Sequence, residues 1–176
     1  MATSTSSLVL CLIIASLLAP SKSNPLSQVC IKSKNPRFCL EVFGLNPHRS
    51  PHELTQEALN LAVANASGTA TKIDIFLDRN EDGNLKVIYS LCLNYYQAAV
   101  DVLKAAEEFL IQGQYSNVNT AGNIVEEDAS NCENAFKKVP GNYVSTLTKD
   151  NENLGFLGSI VVAAADVLSN STSAKN

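Results

Sequence analysis

Two stretches place potential ligand residues at metal-binding spacings. Asp78-Arg79-Asn80-Glu81-Asp82-Gly83 opens like a calcium loop, with oxygen donors at the first, third and fifth positions and Gly at the sixth. The twelfth position is Tyr89, where a bidentate carboxylate is required. The stretch therefore reads as a polar turn between helices. His48 and His52 stand four apart, but Pro51 interrupts them and the chain has only 2 His. Zinc would need further ligands on the same face. Ser50-Pro51-His52-Glu53 reads better as a helix start, with a Ser cap, Pro in the first turn and Glu three residues after the cap. No set of nucleophile, base and orienting group has sequence support. The reading is therefore of a protein that is not an enzyme, with no metal and no cofactor.

Any helices that position such residues sit in a secreted chain. Leu8 to Ala19 is apolar but shorter than the roughly 20 residues a membrane span needs. Ser21 and Ser23 are small residues ahead of Asn24. Residues 1–23 read as a signal peptide. Its removal takes Cys11 and Lys22, leaving Cys30, Cys39, Cys92 and Cys132 and changing the formal charge from −4 to −5. An acidic chain lacks the basic footprint of a nucleic-acid binder. A hydrophobic content of 45% is too high for a disordered one. The apolar run Leu154–Ala165 reads as a core helix, so no membrane anchor is expected.

No Pro lies between Pro51 and Pro140, which favours helices. Leu85, Ile88, Cys92, Tyr95, Ala99, Val102, Ala106 and Phe109 alternate at spacings of three and four, the mark of one apolar helical face. Similar stripes run through Leu54, Ala58, Leu61, Ala66, Ala70, Ile73 and Leu77; through Val118, Ala121, Val125, Ala129, Cys132, Phe136 and Val139; and through Leu154, Leu157, Val161, Ala164 and Leu168. The spacing predicts helices over 52–78, 84–112, 116–138 and 149–169. Short connections make neighbours antiparallel. Four Cys allow three disulfide pairings. Cys92 and Cys132 are placed symmetrically about residue 112, beside the turn at Gly113, so an antiparallel pair brings them to one height. Cys30 and Cys39 flank Lys34-Asn35-Pro36 and suit a small hairpin. The expected bridges are 30–39 and 92–132. The expected fold is an all-α, four-helix up-down-up-down bundle with an N-terminal helical hairpin and two disulfides. Residues 24–49 form the hairpin and linker, 50–170 the bundle, and 171–176 a polar tail.

Two surface features remain. Asn65-Ala66-Ser67 and Asn170-Ser171-Thr172 are glycosylation sequons. Charge is unevenly spread. Lys32, Lys34, Arg37 and Arg49 against Glu41 give residues 24–49 a net +3. Glu81, Asp82, Asp101, Glu107, Glu108, Glu126, Glu127, Asp128 and Glu133 against Lys86 and Lys104 give residues 81–133 a net −7. Such a run is usually a solvated face; here it can also steer a basic partner.

Cys30-Ile31-Lys32-Ser33-Lys34-Asn35-Pro36-Arg37-Phe38-Cys39 closely resembles the cysteine opening of the plant invertase and pectin methylesterase inhibitors. Asn46-Pro47-His48-Arg49-Ser50 is similar to that family's linker. The stretches from Cys92 to Val100 and from Ala129 to Phe136 resemble its third- and fourth-cysteine motifs. The resemblance covers nearly all of residues 27–170, and its cysteine framework is the specific part. It implies the fold and pairing reached above, and non-covalent blocking of the active-site cleft of a wall or vacuolar carbohydrate-active enzyme.

The implied target rests on two motifs. Invertase inhibitors often carry Pro-Lys-Phe where this chain has Gly113-Gln114-Tyr115, and Gly113 to Asn119 looks more like the pectin methylesterase inhibitors. Those often have Thr before the fourth cysteine, where this chain has Asn131. The expected partner is pectin methylesterase, with acid invertase the alternative and an apolar-ligand-binding bundle the rival from another class. The expected location is the apoplast, or else the vacuole. The expected contact residues are Tyr115, Asn119, Glu126, Glu127, Asp128 and Asn131.

Overall fold

The computed structural model describes residues 24–141 and 143–174; the expected signal peptide, residues 1–23, lies outside them. Two short helices come first, α1 (Pro25–Lys32) and α2 (Pro36–Phe43). Each starts with Asn-Pro. The Asn24 and Asn35 side chains accept from Ser27 N and Phe38 N at 2.7 and 3.1 Å. Pro at the first helical position loses no intrahelical bond. Gly44, at φ 68°, ends α2.

Four long helices follow: α3 (Pro51–Arg79), α4 (Gly83–Ile111), α5 (Tyr115–Lys138) and α6 (Thr148–Ser173). Ser50 and Glu53 form the expected capping box at α3. Asp82 caps α4, accepting from Asn84 N and Leu85 N at 2.8 and 3.2 Å. Between α4 and α5 the chain turns through Gly113 at φ 72°, with Gln114 N donating to Phe109 O at 2.8 Å. The first three helices fall within a residue of their expected bounds. The fourth runs to Ser173, into the expected polar tail. The Ser171, Thr172 and Ser173 hydroxyls donate to carbonyls one turn back, at Leu168 and Ser169, and so do not compete with the helix.

The antiparallel bundle packs α4 between α3 and α5, and α6 between α5 and α3. The disulfides join Cys30 to Cys39 and Cys92 to Cys132, with Cα atoms 5.4 and 4.6 Å apart. The first closes the hairpin; the second ties α4 to α5. Helix α6 is long and apolar enough to cross a membrane, but 61% of its apolar window is buried inside the bundle. It is the helix against which both α1 and α2 dock.

The apolar stripes of α5 and α6 lie in the core almost as expected. That of α4 is rotated. Tyr96, Leu103 and Leu110 are buried, whereas Tyr95, Val102 and Phe109 are only partly covered. Contact with helices on two sides widens the apolar arc, so adjacent residues both border it.

Candidate partner-binding surface

Helix α5 carries all six expected contact residues, but on different faces. Tyr115, Asn119 and Glu126 lie on the α6 side. Tyr115 is half-buried and packs against the core at the helix start. With Asn119, Asp166 and Ser169 it lines a surface groove of about 350 Å³. Asn119 Nδ2 donates to Asp166 Oδ1 at 2.8 Å, and Asn119 Oδ1 accepts from Asn123 Nδ2 at 3.0 Å. Asn119 therefore clamps α5 to α6.

Glu126 is also engaged within the chain. Its side chain is 14% exposed and pairs with Lys34 of the hairpin. The net +3 of the hairpin and the net −7 of the acidic helices thus meet partly inside this molecule. Glu127 and Asn131 lie about 100° or more further round the helix. Glu127 is exposed and Asn131 half-buried. Asp128, beside them, has one carboxylate oxygen sealed from solvent without a hydrogen-bond partner. Burial, and then repulsion from Glu127, pushes its carboxyl up to about 6.

Other sequence candidates have structural employment. Asp82, the calcium-loop residue, accepts from the Tyr143 hydroxyl at 3.0 Å as well as capping α4. Bonds from Leu85 N, the Tyr143 hydroxyl and Asn84 N hold its carboxyl below the usual range. His48 and His52 are exposed on the linker and the first turn of α3. Among the described residues, no group of three or more His, Cys, Asp or Glu is placed to hold a metal ion. Asn65 sits midway along α3 with its amide oxygen buried. Asn170 is exposed in the last turns of α6.

Sequence reasoning missed a polar relay across the bundle. The Tyr96 hydroxyl donates to Asn151 Oδ1 at 2.9 Å, Asn151 Nδ2 donates to Glu133 Oε2 at 2.7 Å, and Thr148 Oγ1 donates to Glu133 Oε1 at 2.9 Å. Burial holds the Tyr96 hydroxyl well above its usual range. Partial burial opposes ionisation of Glu133, but hydrogen bonds from Asn151, Ser145 and Thr148, with Lys137 nearby, hold its carboxyl below the usual value. Glu133 and Asn151 line a groove of about 420 Å³ between α5 and α6, with Lys34 at its rim. Asn151 falls one step before Leu154 at the stripe spacing, so a polar residue at a core position was the available signal.

The arrangement offers charged and hydrogen-bonding groups on rigid, disulfide-tied helices. These features define a disulfide-tied four-helix bundle with a docked N-terminal hairpin. The family model for the plant invertase/pectin methylesterase inhibitors matches residues 24–171. The chain is 28% identical over 151 residues to a pectinesterase inhibitor of Actinidia deliciosa, covering 84% of this chain and 81% of that one. It is 29% identical over 136 residues to pectinesterase inhibitor 1 of Arabidopsis thaliana, covering 76% of each. A crystal structure of a mutant form of an Arabidopsis pectin methylesterase inhibitor shares the fold, with a TM-score of 0.72 at 23% identity over 82% of this chain and 97% of that one. The protein belongs to the plant invertase/pectin methylesterase inhibitor family, a family of enzyme inhibitors.

Proposed function

We propose that this protein is a secreted inhibitor of pectin methylesterase. It seats a face of its bundle in the enzyme's active-site cleft without covalent chemistry, limits pectin de-esterification, and has no catalytic activity of its own. The observation that carries this reading is the match to relatives described as pectinesterase inhibitors, over most of both chains. The divergent Gly113-Gln114-Tyr115 turn supports it. The apoplast is the proposed location, from the signal-peptide reading and from two disulfides, which persist in oxidising compartments. Full burial of Ala99, Ala106 and Ala164, with Ala121 at 1% exposure, supports close packing over an apolar-ligand cavity.

Acid invertase is the second reading, favoured by Asn131 where pectin methylesterase inhibitors often have Thr. The test mixes the purified protein with one pectin methylesterase and one acid invertase and measures residual turnover of each. Loss of methylesterase activity alone supports the proposal. Loss of invertase activity alone replaces it with the second reading. Turnover of pectin or sucrose by the chain itself defeats both.

A further inference from the structure

We propose that Asn170 carries an N-linked oligosaccharide while Asn65 stays unmodified, and that this sugar stands at the rim of the Tyr115 groove. Both residues begin a sequon, but the fold treats them differently. Asn170 is exposed, three residues from the end of α6. A bulky, hydrated oligosaccharide on its amide projects into solvent and displaces no core contact. The last turn of a helix also frays readily, which lets the sequon leave the helical conformation.

Asn65 is held differently. It is half-buried near the middle of a 29-residue helix, and its neighbours Ala62 and Ala66 are fully buried. Its amide oxygen is sealed from solvent with no hydrogen-bond partner. A bulky sugar on this half-buried side chain crowds the packed middle of α3, where the end of α6 leaves open solvent.

Position gives the Asn170 sugar a consequence. Ser169, one residue earlier, lines the same groove as Tyr115, Asn119 and Asp166. An oligosaccharide rooted there covers the rim and slows approach of a large partner to Tyr115. This second part rests on the reading of that surface as a docking site for pectin methylesterase.

The test expresses residues 24–176 behind a heterologous secretion signal in a eukaryotic host. Intact mass gives the number of glycans, and peptide mapping after peptide N-glycosidase treatment in heavy-oxygen water marks the modified position. The wild type should carry one glycan, marked at residue 170; Asn170→Gln should carry none, and Asn65→Gln should keep it. An unmodified wild type, or a mark at residue 65, overturns the assignment. Asn170→Gln should then associate with pectin methylesterase on the order of threefold faster than the glycosylated form. Equal rates overturn the shielding. Failure of both forms to bind the enzyme overturns the functional reading and leaves the mass result standing.

Discussion

Gly122 of α5 and Gly158 of α6 face each other so closely that neither has room for a side chain. A Cβ on Gly122 would lie 2.8 Å from Gly158 O, and a Cβ on Gly158 would lie 2.8 Å from both Gly122 O and Glu126 Cγ. Backbone atoms cannot rotate away as a side-chain tip can. Gly122→Ala or Gly158→Ala should therefore destabilise by about 1–3 kcal/mol or more, through separation of the two helices. Gly155, on the same helix, has nothing within 4 Å of its Cβ position. Gly155→Ala should stabilise by about 0.5–1 kcal/mol, since Ala is the better helix former. Urea titrations of the three variants test this; equal effects at positions 155 and 158 would contradict the close-approach account.

The same helix pair receives the hairpin. Lys34 N donates to Ser159 Oγ at 3.2 Å, the Phe38 and Phe156 rings lie 5.4 Å apart, and Lys34 pairs with Glu126. Lys34 is 64% exposed, so the ion pair contributes no more than about 1 kcal/mol. Glu126→Gln should raise amide hydrogen exchange of residues 25–43 by up to about fivefold, with little change in the global melting temperature. An unchanged exchange pattern would show that the rings and Ser159 hold the hairpin alone.

The hairpin contacts also mark where sequence reading ran out. Apolar spacing revealed four helices because each buries one face over many turns, and the cysteine positions set their pairing. Spacing says nothing of Lys34 meeting Glu126, which lies 92 residues away. Nor did it fix the rotation of α4, where Tyr95 and Tyr96 both fit the stripe and Tyr96 is the one buried, bonded to Asn151 of α6. On the candidate surface, residue type alone grouped Glu126 with Glu127 and Asp128. One is tied to the hairpin, the next is solvated, and the third has a sealed oxygen. Helical phase separates neighbours that composition treats as one acidic patch.

The two disulfides should differ in weight. In the chain-entropy model a bridge stabilises according to the loop it closes. The separation is 40 residues for Cys92–Cys132 and 9 for Cys30–Cys39. Paired Ser substitutions should therefore cost about 4 kcal/mol at 92 and 132, and about 2.5 kcal/mol at 30 and 39. Calorimetry of both variants checks the order; a larger loss for the hairpin bridge would reverse it.

Asp128 should make stability depend on pH in a defined direction. Its carboxyl titrates near 6 in the folded chain, against an ordinary value of 3.8. The folded chain holds this proton more tightly than the unfolded one, so the contribution is greatest below about 3.8 and is lost as pH rises through 6. Asp128→Asn removes the charge that burial opposes. It should flatten the decline in urea midpoint between pH 4 and 7 and be the more stable form at pH 7. A wild-type curve matching that of the variant would place Asp128 in a solvated setting.

Tyr115 is the contact residue whose surroundings best separate anchoring from packing. It begins α5 directly after the Gly113 turn, with part of its ring on the core and part in the groove beside Asp166. A half-buried ring on a rigid helix end offers a partner large area at little ordering cost. If the proposed enzyme docks there, Tyr115→Ala should weaken inhibition of pectin methylesterase by roughly 2 kcal/mol, about thirtyfold in affinity. Stability should fall less, because the ring is only partly buried at the end of the bundle. Tyr115→Phe keeps the ring and removes the hydroxyl, so it should retain most of both properties. The readout is inhibition per folded molecule, with the folded fraction taken from circular dichroism at the assay temperature. Loss of stability with unchanged inhibition per folded molecule would assign Tyr115 to the core and move the docking surface to the Glu127 and Asn131 face of α5.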